Sequence, residues 1–229
     1  VTGHRSEWIT VFKRFPTGRV PITRSAGIFL HDWAQPADGH PRLFDRQALE
    51  VLTTARPSVV ATLYVSAAAV MLWDSVRSGL SAGRIAGLAG VGVAAWTLTE
   101  YLMHRYAFHF VPRTRLGVVM AYLSHGVHHA YPRDPHRLVM PLIVSVPISG
   151  VLLVAGRLLA GSSSSPFLAG FAVGYLSYDL IHYHLHQHES RSAAFRWLRR
   201  YHLQHHYTAT DRQFGVSTPF WDYVFRTQR

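Results

Sequence analysis

The chain has 229 residues, enough for one domain with a sizeable core, and 48% of them are hydrophobic. With no cysteine it can build neither a disulfide framework nor a thiolate metal site, so any metal must rest on nitrogen or oxygen ligands. The net charge of +11 is almost all arginine and is interleaved with apolar stretches rather than gathered in one patch, which argues against a nucleic-acid partner.

Residues 1–56 carry eight basic residues, together with Pro16, Pro21, Pro36 and Pro41, and no early uninterrupted apolar run. No secretory leader is expected there. The segment reads as an extended N-terminal cytosolic arm, with a short helix over residues 43–52, leading into a membrane domain over residues 57–229.

Four uncharged stretches follow, at residues 58–73, 85–99, 138–156 and 158–178. A bilayer core of ~30 Å takes ~20 apolar residues in a helix. The first two stretches are shorter, but Trp73, Trp96 and Tyr101 at their ends suit a membrane interface. The last two are divided by Arg157 and by the serine run 162–165 before Pro166, so they read as a hairpin that turns within residues 157–166. Soluble helices are amphipathic, and these are apolar all round. The expected fold is all-α, an integral membrane protein with four transmembrane helices. If all four cross, the arm, the middle loop and the tail share one side and hold twenty basic residues, against Arg77, Arg84 and Arg157 on the other. The positive-inside rule then puts both termini and both histidine-rich loops in the cytoplasm. Arginine-for-lysine bias suggests a bacterial chain, hence an inner membrane.

Sixteen histidines are present, and thirteen lie between His104 and His206. Four clusters stand out: His104 and His109; His125, His128 and His129; His182 and His186; and His202, His205 and His206. Residues four apart on a helix are separated by ~40° and residues three apart by ~60° the other way. The spacing therefore puts His125, His128 and His129 on one face, and His202, His205 and His206 likewise. His182 and His186 form an i, i+4 pair, but so do His184 and His188 on the opposite face, and spacing does not choose between them. His104 and His109 are ~140° apart on a regular helix, which calls for a helix end, a bulge or two different metals. Ten imidazoles are too many for one ion, whereas two ions with five nitrogens each would be nearly six-coordinate. Imidazole suits iron, zinc and copper alike, but zinc has no redox function, so oxygen activation points to iron or a comparable ion. His4, His31 and His40 read as surface histidines and His136 as a loop residue.

Three passages carry a family likeness: HGVHHAYPRDPHRLVMP from His125, YDLIHYHLH from Tyr178, and YHLQHHYTATDRQFGVSTPFWDYVF from Tyr201. Over residues 57–225 the chain resembles the fatty acid hydroxylase / sterol desaturase superfamily, closest to its fatty acid 2-hydroxylase branch. The resemblance implies a cytosolic helical cap over a dimetal site. Its ligands would be His104, His109, His125, His128, His129, His182, His186, His202, His205 and His206, with Tyr178–Asp179 selecting His182/His186 over His184/His188. It also implies dioxygen as co-substrate, iron or zinc in the site, and a membrane lipid hydroxylated at carbon 2 of a long acyl chain. The arm is too short for the haem domain that some members carry, and His40–Pro41–Arg42 departs from their His-Pro-Gly-Gly. A separate ferredoxin, b-type cytochrome or reductase is therefore expected to supply electrons.

Asp134 and Arg137 are candidates either to contact the lipid head or to tie down the middle loop. Asp179 and Asp222 are candidates to orient imidazoles, and Trp221 and Phe225 to pack a cap over the site. The alternatives are a sterol- or carotenoid-modifying oxygenase with the same histidines, and a non-catalytic metal-binding membrane protein.

Overall fold

The computed structural model describes residues 13–14, 18–23, 26–33 and 35–229; His4 lies outside them. Most of the described chain is helical. The all-α expectation needs one correction, because the arm contains an antiparallel hairpin of β1 (Gly18–Thr23) and β2 (Ala26–Leu30), with Gly18 opposite Leu30. The prolines had suggested an extended arm; Ile28 and Leu30 alternate instead with the exposed Phe29, so one face of β2 is buried. The expected short helix is α1 (Gln47–Leu52).

Four long helices form the body: α2 (Pro57–Arg77), α3 (Ala82–Leu102), α6 (Leu142–Ala160) and α7 (Ser164–Gln187). Between α3 and α6 lie α4 (Arg115–Ala121) and α5 (Val127–Ala130), and after α7 come α8 (Ala193–Tyr207) and α9 (Phe220–Val224). Pro57 opens α2, where its missing N–H costs nothing. The Ser81 hydroxyl accepts the Arg84 amide to cap α3.

Among the described residues, three segments are long and apolar enough to cross a membrane: Pro57–Arg77, Ala82–Phe108 and Leu142–Gln187. The third contains both α6 and α7. They fold back on each other as a hairpin at Gly161, whose φ of 55° suits a residue without Cβ. Side chains fix this antiparallel arrangement, since Arg157 near the end of α6 and Ser165 at the start of α7 both bond Asp74 of α2. The α3–α7 pair packs backbone to backbone: a Cβ at Gly170 would lie 2.0 Å from the Ala89 carbonyl oxygen, and one at Gly92 would lie 2.1 Å from that of Phe167. Helix α7 continues beyond the uncharged stretch to carry the His182/His186 pair, with Asp179 buried on it and accepting the Met140 amide at 3.3 Å.

Two apolar cores result. One joins Ile28, Leu30, Trp33 and Phe44 of the arm to Val118, Tyr122 and Val127. The other joins Val60 and Tyr64 of α2 to Trp96, Tyr175, Tyr178 and Val216. The histidines lie between them.

Candidate metal centre

Ten buried histidines converge in two groups of five. His104, His109, His125, His129 and His205 form one, and His128, His182, His186, His202 and His206 the other; within each, one ring nitrogen per residue lies within 4.8 Å of all the others. The groups touch, with the rings of His129 and His206 stacked at 4.2 Å.

Local backbone explains how the spacings reach this arrangement. His104 and His109 fall in one group because residues Met103–Phe108 form a π-helix, whose i→i+5 repeat brings residues five apart onto one side. A second π turn, Tyr122–Gly126, carries His125. The two His-x2-His-His motifs do not each serve one group, as a single shared face implies. Each gives its i, i+4 pair to one group and its middle histidine to the other: His125/His129 against His128, and His202/His206 against His205. The pair on α7 is His182/His186; His184 packs on His188 and Phe195, away from both groups.

Proton counting tests whether cations fit. The Nδ1 of His104 lies 2.5 Å from the Phe214 carbonyl, that of His182 is 2.9 Å from Leu138 O, and that of His205 is 2.6 Å from Arg212 O. Each must donate there, so each Nε2 carries a lone pair facing inward. In the second group the Nε2 atoms form a chain of contacts, His182–His128 at 2.9 Å, His128–His206 at 3.0 Å, His206–His202 at 3.1 Å and His202–His186 at 2.8 Å. A neutral ring nitrogen holds one proton or one lone pair, so five of them satisfy at most two of these four contacts. Extra protons are no remedy, because burial pushes His128, His202 and His206, and His125 and His129 in the other group, well below the usual imidazole range. A cation among converging lone pairs satisfies all of them, and an all-nitrogen donor set suits a first-row transition ion.

The carboxylates act through the backbone. Asp222 accepts the amides of Phe214 at 2.9 Å and Gly215 at 2.8 Å, holding the loop whose carbonyl orients His104. Asp179 accepts the Met140 amide, two residues after the Leu138 carbonyl that orients His182. Glu100, which sequence reasoning passed over, accepts the amides of Val216 at 2.7 Å and Ser217 at 2.8 Å, and the Ser217 hydroxyl. A signal existed: it is the one carboxylate between Asp74 and Asp134, at the end of an apolar run.

Asp134 and Arg137 tie down the middle loop. Both are buried; Arg137 pairs with Glu50 and Asp134 and bonds Thr53, while Asp134 accepts the His136 amide. His40 is not a bystander, since its Nδ1 sits 2.9 Å from Asp134 Oδ1. Trp221 and Phe225 do not cover the histidines. Trp221 donates to Thr97 at 3.0 Å and Phe225 stacks on Tyr101 at 5.1 Å, both at the end of α3. The aromatic rings that flank the site include Phe108 on His125, Tyr178 stacked on His182, Phe214 against His104, His109 and His205, and Trp33 of the arm against His109 and His129.

A partly exposed groove of apolar side chains also leads away from the site. A cavity of about 490 Å³ lies among α2, α3, α6 and α7, lined by Leu63, Trp96, Leu153 and Tyr175, and reaches Met103 and Met140 beside the histidine-bearing segments.

The family model for fatty acid hydroxylase matches residues 89–227. A dihydroceramide fatty acyl 2-hydroxylase of Arabidopsis thaliana is 35% identical over 192 residues, covering 82% of this chain and 79% of the relative. A ceramide very long chain fatty acid hydroxylase of Saccharomyces cerevisiae is 41% identical over 60% of this chain and 36% of its own length. The solved structure described as full-length scs7p, with only its hydroxylase domain visible, superposes with a TM-score of 0.75 at 31% identity, over 86% of this chain and 76% of that one. On motif, fold and histidine geometry together, the chain belongs to the fatty acid hydroxylase family.

Proposed function

We propose that this chain is a membrane-bound dimetal monooxygenase that hydroxylates carbon 2 of a long acyl chain, in a fatty acid or an acyl-amide lipid. The observation that carries the reading is the juxtaposition of two five-histidine groups with an apolar cavity beginning at Met103 and Met140. The two groups would each hold one ion; when bound, a redox-active pair such as iron supplies the activation of dioxygen and the oxidation of a C–H bond.

The chain's own residues do the rest. Carbonyls of Leu138, Arg212 and Phe214 fix the tautomer of three rings, so that their Nε2 lone pairs face the ions. Trp33, Phe108 and Phe214 exclude water from the rings they pack on. The cavity between the helices takes the methylenes, leaving the first carbons beside the acyl carbonyl at the histidine end. Relatives named as 2-hydroxylases of fatty acyl groups support carbon 2 as the position.

For the membrane we infer that α2, α3, α6 and α7 all cross, with residues 57–229 as the hydroxylase domain, residues 1–56 as an N-terminal cytosolic arm, and both termini cytoplasmic. The asymmetry of twenty basic residues against three supports this orientation. Electrons would come from a separate ferredoxin, b-type cytochrome or reductase. Expression in a host lacking 2-hydroxylated lipids, with isotopically labelled dioxygen, tests the function. The expected product is an acyl chain carrying one labelled oxygen at carbon 2; metal-loaded protein with a competent electron donor and no such product would refute it.

A further inference from the structure

The cavity does not end where the reaction needs it to. A second cavity of about 440 Å³ shares Val70, Met71 and Leu153 with the first and runs on to Asp74, Arg157 and Leu158, at the end of the bundle remote from the histidines. From Ser145 to Leu158 the groove follows α6 for roughly 20 Å at ~1.5 Å per residue. One leaflet supplies only about half of a ~30 Å hydrocarbon core. The groove is therefore deeper than one leaflet.

Helices α2 and α6 form its two lips. They are linked midway by the Tyr64 and Ser149 hydroxyls at 2.9 Å, and at the foot by Arg157 to Asp74 at 2.6 Å. Ser165 also donates to Asp74 at 2.7 Å, so the apolar groove ends on a satisfied polar cluster. An acyl terminus arriving there gains nothing by going further, since displacing the pair would leave its charges facing hydrocarbon. Halfway along, Gly150 lines the groove, and a Cβ there would meet nothing within 4 Å. A large side chain at this position would have room to extend into the groove.

We propose that this groove is an acyl-length gauge: it selects chains longer than one leaflet's hydrocarbon, with Gly150 lining its middle and the Asp74–Arg157 pair setting its end. The proposal rests on the acyl-hydroxylase reading and adds the length class and the residues that determine it.

The test feeds cells expressing the full-length chain a mixture of saturated fatty acids of graded length and reads the length profile of the 2-hydroxylated products. Gly150→Phe should cut the longest products about tenfold or more relative to the shortest, since single methylenes in an apolar pocket already discriminate at about that level. Gly150→Ala, adding one carbon into open space, should keep the wild-type profile. The double variant Asp74→Ala/Arg157→Ala should move the profile toward longer chains, and it decides alone if Gly150→Phe fails to accumulate. Unchanged profiles in both Gly150→Phe and the double variant, with wild-type enzyme active, overturn the gauge. A wild-type enzyme that hydroxylates no acyl chain of any length sinks the underlying function instead.

Discussion

Asp222 and His104 are coupled through one residue. Phe214 gives its amide to the Asp222 carboxylate at 2.9 Å and takes the His104 Nδ1 proton on its carbonyl at 2.5 Å. The carboxylate is fully buried and also holds Gly215 and the Thr227 hydroxyl. Asp222→Ala leaves two buried amides without an acceptor, at about 1–3 kcal/mol each. It should lower the melting temperature and make one metal ion per chain easier to remove with a chelator, the one held by the His104 group. Asp222→Asn, which retains one carbonyl oxygen, should fall between wild type and Ala. Equal loss of both ions would deny the link to His104.

Trp33 and Gly126 are matched. A Cβ at position 126 would sit 2.5 Å from the Trp33 ring, which is itself buried against His109 and His129. Gly126→Ala should therefore dislodge the indole and expose the rings. In a Trp33→Ala background, which alone costs about 3–5 kcal/mol, the same substitution should cost much less, a non-additivity that a double-mutant cycle in thermal unfolding measures.

The α7 histidines separate by face. His182→Ala and His186→Ala should abolish metal retention and hydroxylation together. His188→Ala, at an exposed ring, should change stability by no more than about 0.5 kcal/mol and leave product formation near wild type. His184 is half-buried against Phe195, so His184→Ala is expected to cost some stability but no metal.

Much of this site was legible before any fold was known, and what was not has identifiable physical causes. Helical spacing brings out the histidine clusters, and the family likeness selects His182/His186 over His184/His188, but neither divides the ten between the two groups. The sharing of His128 and His205 across groups depends on how three separate helices meet, which no local period encodes. The 104/109 pair looked mismatched because the regular 3.6-residue repeat does not hold there; a π turn replaces it. The β-hairpin was missed because Pro21 within β1 argues against a strand interior, yet a two-stranded hairpin is all edge and tolerates it. Trp33 was unreadable because its partners lie far along the sequence. Trp221 and Phe225 pack on Thr97 and Tyr101 rather than over the metals, because nearness in sequence to the last histidine motif does not fix where the chain returns.

Glu100 gives a sharper test of the backbone-mediated design. Its carboxylate serves three donors on residues 216–217. Glu100→Ala should destabilise by several times the roughly 1 kcal/mol of an ordinary hydrogen bond, with the 213–217 loop losing protection in hydrogen exchange before the helices do. Uniform loss of protection across the bundle would mean that Glu100 supports the helices rather than the loop.

The central claim is that the two histidine groups are two metal sites. Elemental analysis of the purified full-length chain, combined with X-ray absorption at the metal edge, addresses it most directly. Two ions per chain in an all-nitrogen protein environment, each with about five imidazole ligands, is the predicted result. One ion or none in catalytically active protein, or a shell rich in carboxylate oxygen, would contradict it.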